Sequence, residues 1–219
     1  MNSFPVAKSA IYSIKHQICA LCRGFYQQGW ASGTGGGISI RTQDRIFMAP
    51  SGVEKEKIEP DDIFELDLDG SVLQAPVNKD LRLSECAPLF MAAYELRSAG
   101  AVLHSHSLQV VLATMLATPA APPYRVIEFS ELEMIKGLPG HGYHDTFRLP
   151  VIPNTARERD LTASLRQAIL DWPDTCAVAV QNHGIYVWGA NASKAKTQAE
   201  CIDYLCQVLI EKRRLGLHQ

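Results

Sequence analysis

The sequence predicts an α/β fold with a central, mostly antiparallel β-sheet flanked by helices. Three observations support it. Apolar side chains recur at helical spacing in five segments. Short apolar runs of strand length lie between them, some joined by turns suited to hairpins. The chain has 219 residues, 47% hydrophobic and 20% charged, enough to bury a sizeable core. No internal repeat, low-complexity linker or composition shift divides it, so residues 1–219 read as a single domain.

Residues 5–29 set Ile11, Ile14, Ile18, Leu21 and Phe25 on one helical face, and Gly29 ends the helix. The stretch Gly33-Thr34-Gly35-Gly36-Gly37 follows. Strand-like runs at 38–41 and 45–50 are joined by Thr42-Gln43-Asp44. A second hairpin spans 63–68 and 71–73 around Asp69-Gly70. Ser84 is placed to cap a helix over 85–99, with Leu89, Phe90, Ala93 and Leu96 inward. The run 101–103 reads as a strand and 108–116 as a helix. Pro119, Pro122 and Pro123 then interrupt the chain, and 134–142 reads as a glycine-rich loop. An amphipathic helix over 157–170 precedes strands at 176–182 and 185–188. The last helix, 192–214, carries Ala195, Ala199, Ile202, Cys206 and Leu209 on one stripe.

A formal net charge of −2 offers no bulk attraction for nucleic acid. No apolar stretch approaches the roughly 20 residues that span a bilayer. The segment 1–5 lacks the charged and apolar regions of a secretory leader. Six cysteines scattered through apolar segments suit a reduced, cytoplasmic chain. Cys19 and Cys22 have the spacing of a zinc or redox pair, but they sit in a helical pattern without a second pair and read as buried thiols.

The residues that point to chemistry begin with His104-Ser105-His106. Strand side chains alternate faces, so positions two apart point the same way. His183 follows a second strand. Three neutral imidazoles with an open fourth position form a catalytic zinc arrangement. Satisfied polar side chains are the alternative, and spacing alone leaves both open. Gly184 permits a sharp turn or a close approach.

Glycine-rich backbone can turn its N–H groups onto an anion. The 33–37 stretch is neither a Walker motif nor a dinucleotide fingerprint, because no Gly-Lys-Ser/Thr follows and no strand–helix context surrounds it. Ala49-Pro50-Ser51-Gly52 has the same two readings, anion cradle or plain loop. Glu133 and Lys136 suit either a general acid/base beside a metal or a solvated face. Glu85 and Cys86 stand at a helix start, where a thiol pKa can fall. His141 and His144 read as surface residues.

The motifs in this order resemble the class II aldolase/adducin family almost end to end. The segments are the glycine stretch into Ile38-Ser39-Ile40-Arg41, Ala49-Pro50-Ser51-Gly52, Ser84-Glu85, His104-Ser105-His106 and His183-Gly184. Within the family, Cys86-Ala87-Pro88-Leu89-Phe90 and Glu133-Met134-Ile135-Lys136-Gly137 are most similar to dehydratases of a 5-methylthio ketose 1-phosphate in methionine salvage. The resemblance implies an α/β/α fold and one zinc per subunit on His104, His106 and His183. It implies Glu133 as catalytic acid/base and Cys86 in the substrate pocket. Phosphate is expected near Gly36, Gly37, Ser51 and Gly52, with Ser84 and Lys136. A homotetramer with its active site near a subunit boundary is also implied, with no nucleic-acid or membrane partner.

The family's sugar-phosphate aldolases carry an Asn where Gly37 stands. They use a Glu about where Glu85 stands as metal ligand and base, so Glu85 is an alternative in either role. An aldolase or epimerase of the fuculose- or ribulose-phosphate type therefore stays in view. The histidine set argues against a third reading, a non-catalytic adducin-like scaffold.

Overall fold

A computed structural model describes residues 8–217. The expected helix start at 5–7 and the segment 1–5 lie outside the described residues. The chain forms α1 (Lys8–Gln27), β1 (Gly37–Arg41), β2 (Ile46–Met48), β3 (Phe64–Leu66), β4 (Val72–Gln74), α2 (Ala87–Arg97), β5 (Ala101–Ser105) and α3 (Leu108–Leu116). It continues through β6 (Thr118–Pro119), β7 (Arg125–Phe129), β8 (Phe147–Ile152), α4 (Thr162–Asp171), β9 (Ala177–Val180), β10 (Gly184–Gly189) and α5 (Ala192–Arg214).

All ten strands form one mixed sheet in the order β4-β3-β2-β1-β5-β10-β9-β8-β7-β6. Among the described residues, only the β8–β9 pair is parallel. Two cores cover its faces. Alternation along β5 sends Ala101 and Leu103 to one core, with α1, α3 and α5, and Val102 to the other, with α2 and α4. The result is the predicted helix–sheet–helix layering.

Several local expectations are corrected. Strand β6 includes Pro119, read as a break, and β7 and β8 lie in stretches to which the sequence reading assigned no element. Pro150 sits inside β8, opposite Val126, and a proline argues against an interior strand. Ser84 does not cap α2: Cys86 is the N-cap residue, and the Ser84 hydroxyl instead accepts from the Cys86 N–H at 3.2 Å. The segment read as a helix from 157 begins as a 3-10 turn, Glu158–Leu161, before α4. A second 3-10 turn, Glu133–Gly137, forms in the expected loop.

The sheet's antiparallel pairing gathers the sequence motifs at one edge. Gly37 and Tyr186 flank His104 on the two strands that pair with β5. β2 runs back along β1 and delivers Ala49-Pro50-Ser51-Gly52 to the same edge. Because β8 runs parallel to β9, the chain after Ile152 emerges there too, where Gln181 N–H donates to the Ile152 carbonyl at 3.0 Å.

Candidate metal centre

His104 is the penultimate residue of β5, buried in the core at 1% exposed, with its ring stacked on Tyr186 at 4.1 Å. Its Nδ1 lies 3.0 Å from the Ile185 carbonyl oxygen, which can only accept, so Nδ1 carries a proton and Nε2 faces the centre. His106 lies one residue beyond β5, where its N–H donates to the Trp30 carbonyl. His183 belongs to the turn between β9 and β10, and Asn154 Oδ1 lies 3.2 Å from its Nδ1. Such outer partners orient metal-binding imidazoles.

Two glycines let these rings meet. A Cβ on Gly184 would stand 2.1 Å from the Ser105 carbonyl oxygen. One on Gly35 would stand 2.4 Å from His106 Nδ1. Neither position tolerates a side chain without movement of the histidine strand or ring.

The three Nε2 atoms converge. His106 Nε2 lies 2.9 Å from His104 Nε2 and 3.1 Å from His183 Nε2. Glu158 adds a carboxylate: its Oε1 is 2.9 Å from His104 Nε2 and 3.8 Å from His183 Nε2. One ligand atom from each of the four residues lies within 4.8 Å of the others. Three ring nitrogens and a carboxylate facing one another need positive charge among them, and the donor set suits a divalent metal ion.

Electrostatics agree. Burial, together with its two histidine neighbours, pushes the His106 pKa down to about 3, and burial lowers His183 as well. Both rings therefore stay neutral, as a metal ligand must. Burial alone would raise the Glu158 carboxyl. Hydrogen bonds from the His104 ring, with Tyr186 and Cys86 adding to them, override burial and hold it below the usual carboxylate range. The Tyr186 hydroxyl donates to Glu158 at 2.5 Å. Cys86 is buried beside Glu158, and burial pushes its thiol up, so it is no thiolate nucleophile.

The remaining candidates separate into two groups. Gly36, Gly37, Ser51, Gly52 and Ser84 lie at the same edge. A Cβ on Gly36 would meet the His104 carbonyl at 3.0 Å, and one on Gly37 would lie 3.6 Å from Cys86 Sγ. Ser84 is buried and bonded to Cys86. Glu85, Glu133 and Lys136 are not brought to the histidines within the protomer. Glu85 points to the surface and pairs with Arg159 at 3.0 Å. Glu133 is exposed and pairs with Lys136 at 2.8 Å. Lys136 shares a surface cavity with Trp188, Gly189 and Ala190. Gly189 pairs with Ala101, three residues from His104, so this is the opposite end of the strands, about 10 Å away along β5.

His144 is exposed and His141 packs against Phe147, both outside the metal-binding group. Cys19 and Cys22 are buried, free thiols. Glu158 is the residue that sequence spacing missed. Its signal was indirect: only with β8 recognised as the strand beside β9 does the segment after Ile152 reach His183.

Residues 16–210 match the model of the class II aldolase and adducin N-terminal domain. The chain belongs to the class II aldolase and adducin family. It is 49% identical to the methylthioribulose-1-phosphate dehydratase of Aspergillus flavus, over 90% of this chain and 86% of that one. It is 47% identical to an Arabidopsis thaliana protein named "Probable bifunctional methylthioribulose-1-phosphate dehydratase/enolase-phosphatase E1". That match covers 91% of this chain and 41% of the relative, so this chain spans about two fifths of such bifunctional proteins. In fold the family member is similar to a solved L-fuculose 1-phosphate aldolase. The TM-score is 0.74 at 18% identity, over 98% of this chain and 91% of that one. The L-fuculose-1-phosphate aldolase of Thermus thermophilus gives 0.67 at 17% identity, over 97% of this chain and 100% of that one. At such identities the likeness concerns the fold. Among the described residues, no helix is long and apolar enough to cross a membrane.

Proposed function

We propose that this chain is a zinc-dependent hydro-lyase, a cytoplasmic enzyme of methionine salvage. It converts 5-methylthioribulose 1-phosphate to 2,3-diketo-5-methylthiopentyl 1-phosphate. The observation that carries the reading is the convergence of His104, His106 and His183 on one point beside Glu158 and Cys86. The identity to the Aspergillus flavus dehydratase over nearly the whole chain supports the choice of substrate.

The chemistry suits such a centre. The C3 proton of the ketose is acidic because C3 is α to the C2 carbonyl. Its removal, followed by departure of the C4 hydroxyl as water, leaves an enol that becomes the 2,3-diketone. His104, His106 and His183 would hold a divalent ion, which would supply Lewis acidity to the developing enolate. The chain's own groups do the rest. Glu133 takes the C3 proton and returns it to the leaving hydroxyl. Gly36, Gly37, Ser51, Gly52 and Ser84 cradle the phosphate, and Cys86 lines the pocket as a neutral thiol.

Glu133 stands at the opposite end of its own strands from its own histidines, exposed and paired to Lys136. For it to act, it must enter the centre of a neighbouring copy. This supports a homo-oligomer, a tetramer by the family resemblance, in which each boundary joins one copy's histidines to the next copy's Glu133 and Lys136. Tyr186 and Cys86 hold the Glu158 carboxylate beside the ring nitrogens, where it would add a fourth donor to the histidine set. Product mass tests the reaction: loss of one water with the carbon chain intact supports it, and a shortened carbon chain refutes it.

A further inference from the structure

Lys55 is 2% exposed. Its ammonium donates to the Thr34 carbonyl at 3.0 Å and to the Val53 carbonyl at 3.2 Å. Among the described residues no carboxylate pairs with it, and one of its three N–H donors has no acceptor. Lys15 makes the contrast. It is also buried, at 7%, but it meets Glu65 at 2.9 Å. A buried ammonium with no carboxylate in direct contact is costly, so its persistence calls for a reason.

Its two acceptors supply one. Thr34 belongs to the glycine stretch, whose Gly35 abuts His106 and whose Gly36 abuts the His104 carbonyl. Val53 follows Ser51-Gly52, where Gly52 holds φ +67° and a Cβ would meet open space. Lys55 thus joins the two loops that border the metal centre. Burial lowers its pKa, with the Glu158 carboxylate among the charges that oppose this. An oxyanion between the loops would complete the missing charge balance.

We infer that Lys55 is the positioning residue of the substrate's phosphate subsite: it fastens the 33–37 and 51–53 loops into one cradle and gives that cradle the positive charge an oxyanion requires. This rests on the reading of the substrate as a ketose phosphate. The probe is inorganic phosphate, titrated by calorimetry into the metal-loaded full-length protein and its Lys55→Met variant.

The variant is expected to keep its metal and to lose threefold or more in phosphate affinity. Its KM for methylthioribulose 1-phosphate rises at least as much, while kcat stays within threefold. A merely structural role would lower kcat or metal content instead. A metal-loaded variant whose phosphate affinity changes less than threefold overturns the inference, as does a wild type that binds no phosphate. If Lys55→Met does not fold, hydrogen exchange of the wild type decides. Phosphate must slow exchange in both 33–37 and 51–57, and protection of one segment or neither overturns the inference. A wild type that binds phosphate through Lys55 but does not dehydrate the ketose leaves this inference standing and removes the proposed reaction.

Discussion

The Nε2 atoms of His106 and His183 lie 3.1 Å apart although 77 residues separate them in the chain. Two features bring them together. Pairing of β10 on β5 sets the turn that bears His183 beside the end of the His104 strand. Gly184 lets the backbones approach to a distance that a Cβ would forbid. A side-chain cluster assembled across strand ends inherits the rigidity of the sheet beneath it.

Replacing His183 by Ala removes a ligand from a turn rather than from the core. The variant should melt within a few degrees of the metal-free wild type. It should lose at least about a hundredfold in zinc affinity, since two imidazoles no longer close a three-ligand site. Competition with a chromophoric chelator measures this, and wild-type affinity in the variant would remove His183 from the site.

Glu158→Gln keeps the shape but not the charge of the carboxylate bonded by Tyr186 and His104. Partners of this kind typically contribute about 10- to 100-fold in metal affinity or activity. A loss of that size in zinc affinity or kcat is expected. An unchanged variant would make Glu158 a spectator.

Gly35→Ala should act on the ring and not on the fold. The added Cβ would overlap His106 Nδ1 at 2.4 Å, while Gly35 itself has no positive φ. Zinc affinity should fall about tenfold or more, with a stability cost of about 1 kcal/mol. Spectra of a cobalt-substituted protein would show the altered ligand geometry directly.

Acid should destabilise the metal-stripped protein. In the fold His106 titrates at about 3 and His183 also lies below the ordinary 6.5. The unfolded chain therefore binds protons first as pH falls. Stability is fully present above about 6.5 and is lost as pH falls from there toward about 3. The loss is up to about 1.4 kcal/mol per pH unit for each histidine, less where solvent screens His183. Glu158, held below its ordinary value, adds to the loss below about pH 4.5. Melting temperatures at pH 8, 6.5 and 5.5 check this, and a flat profile would contradict it.

Much of this was legible in the sequence, for reasons that differ by element. Helix α3 at Leu108–Leu116 and helix α5 at Ala192–Arg214 lie where apolar spacing set them, because each has one continuous buried stripe. The pair His104 and His106 was legible because a strand has a fixed period. The partners of that pair were less so. Glu158 sits in a 3-10 turn after β8, and Pro150 together with the charges of Arg148 and Glu128 left β8 and β7 unassigned in the sequence. Glu133 and Glu85 were drawn toward the site by family order along the chain, which cannot show that both side chains point to the surface of the protomer. Tertiary placement of a single carboxylate leaves no period to read.

If Glu133 serves a neighbour's centre, inactive copies should complement one another. Glu133→Ala and His106→Ala should each be inactive alone. Mixed under conditions that exchange subunits, they should recover about a quarter of wild-type turnover, the share of boundaries that random assembly leaves intact. No recovery in a verified mixed oligomer would place Glu133 outside the reaction or within its own protomer's site.

The most direct test is turnover itself. Zinc-loaded protein incubated with methylthioribulose 1-phosphate should release the diketone, stop when a chelator strips the metal, and resume when zinc is restored. Metal-loaded protein that forms no diketone, or that releases a two- or three-carbon fragment instead, would contradict the account.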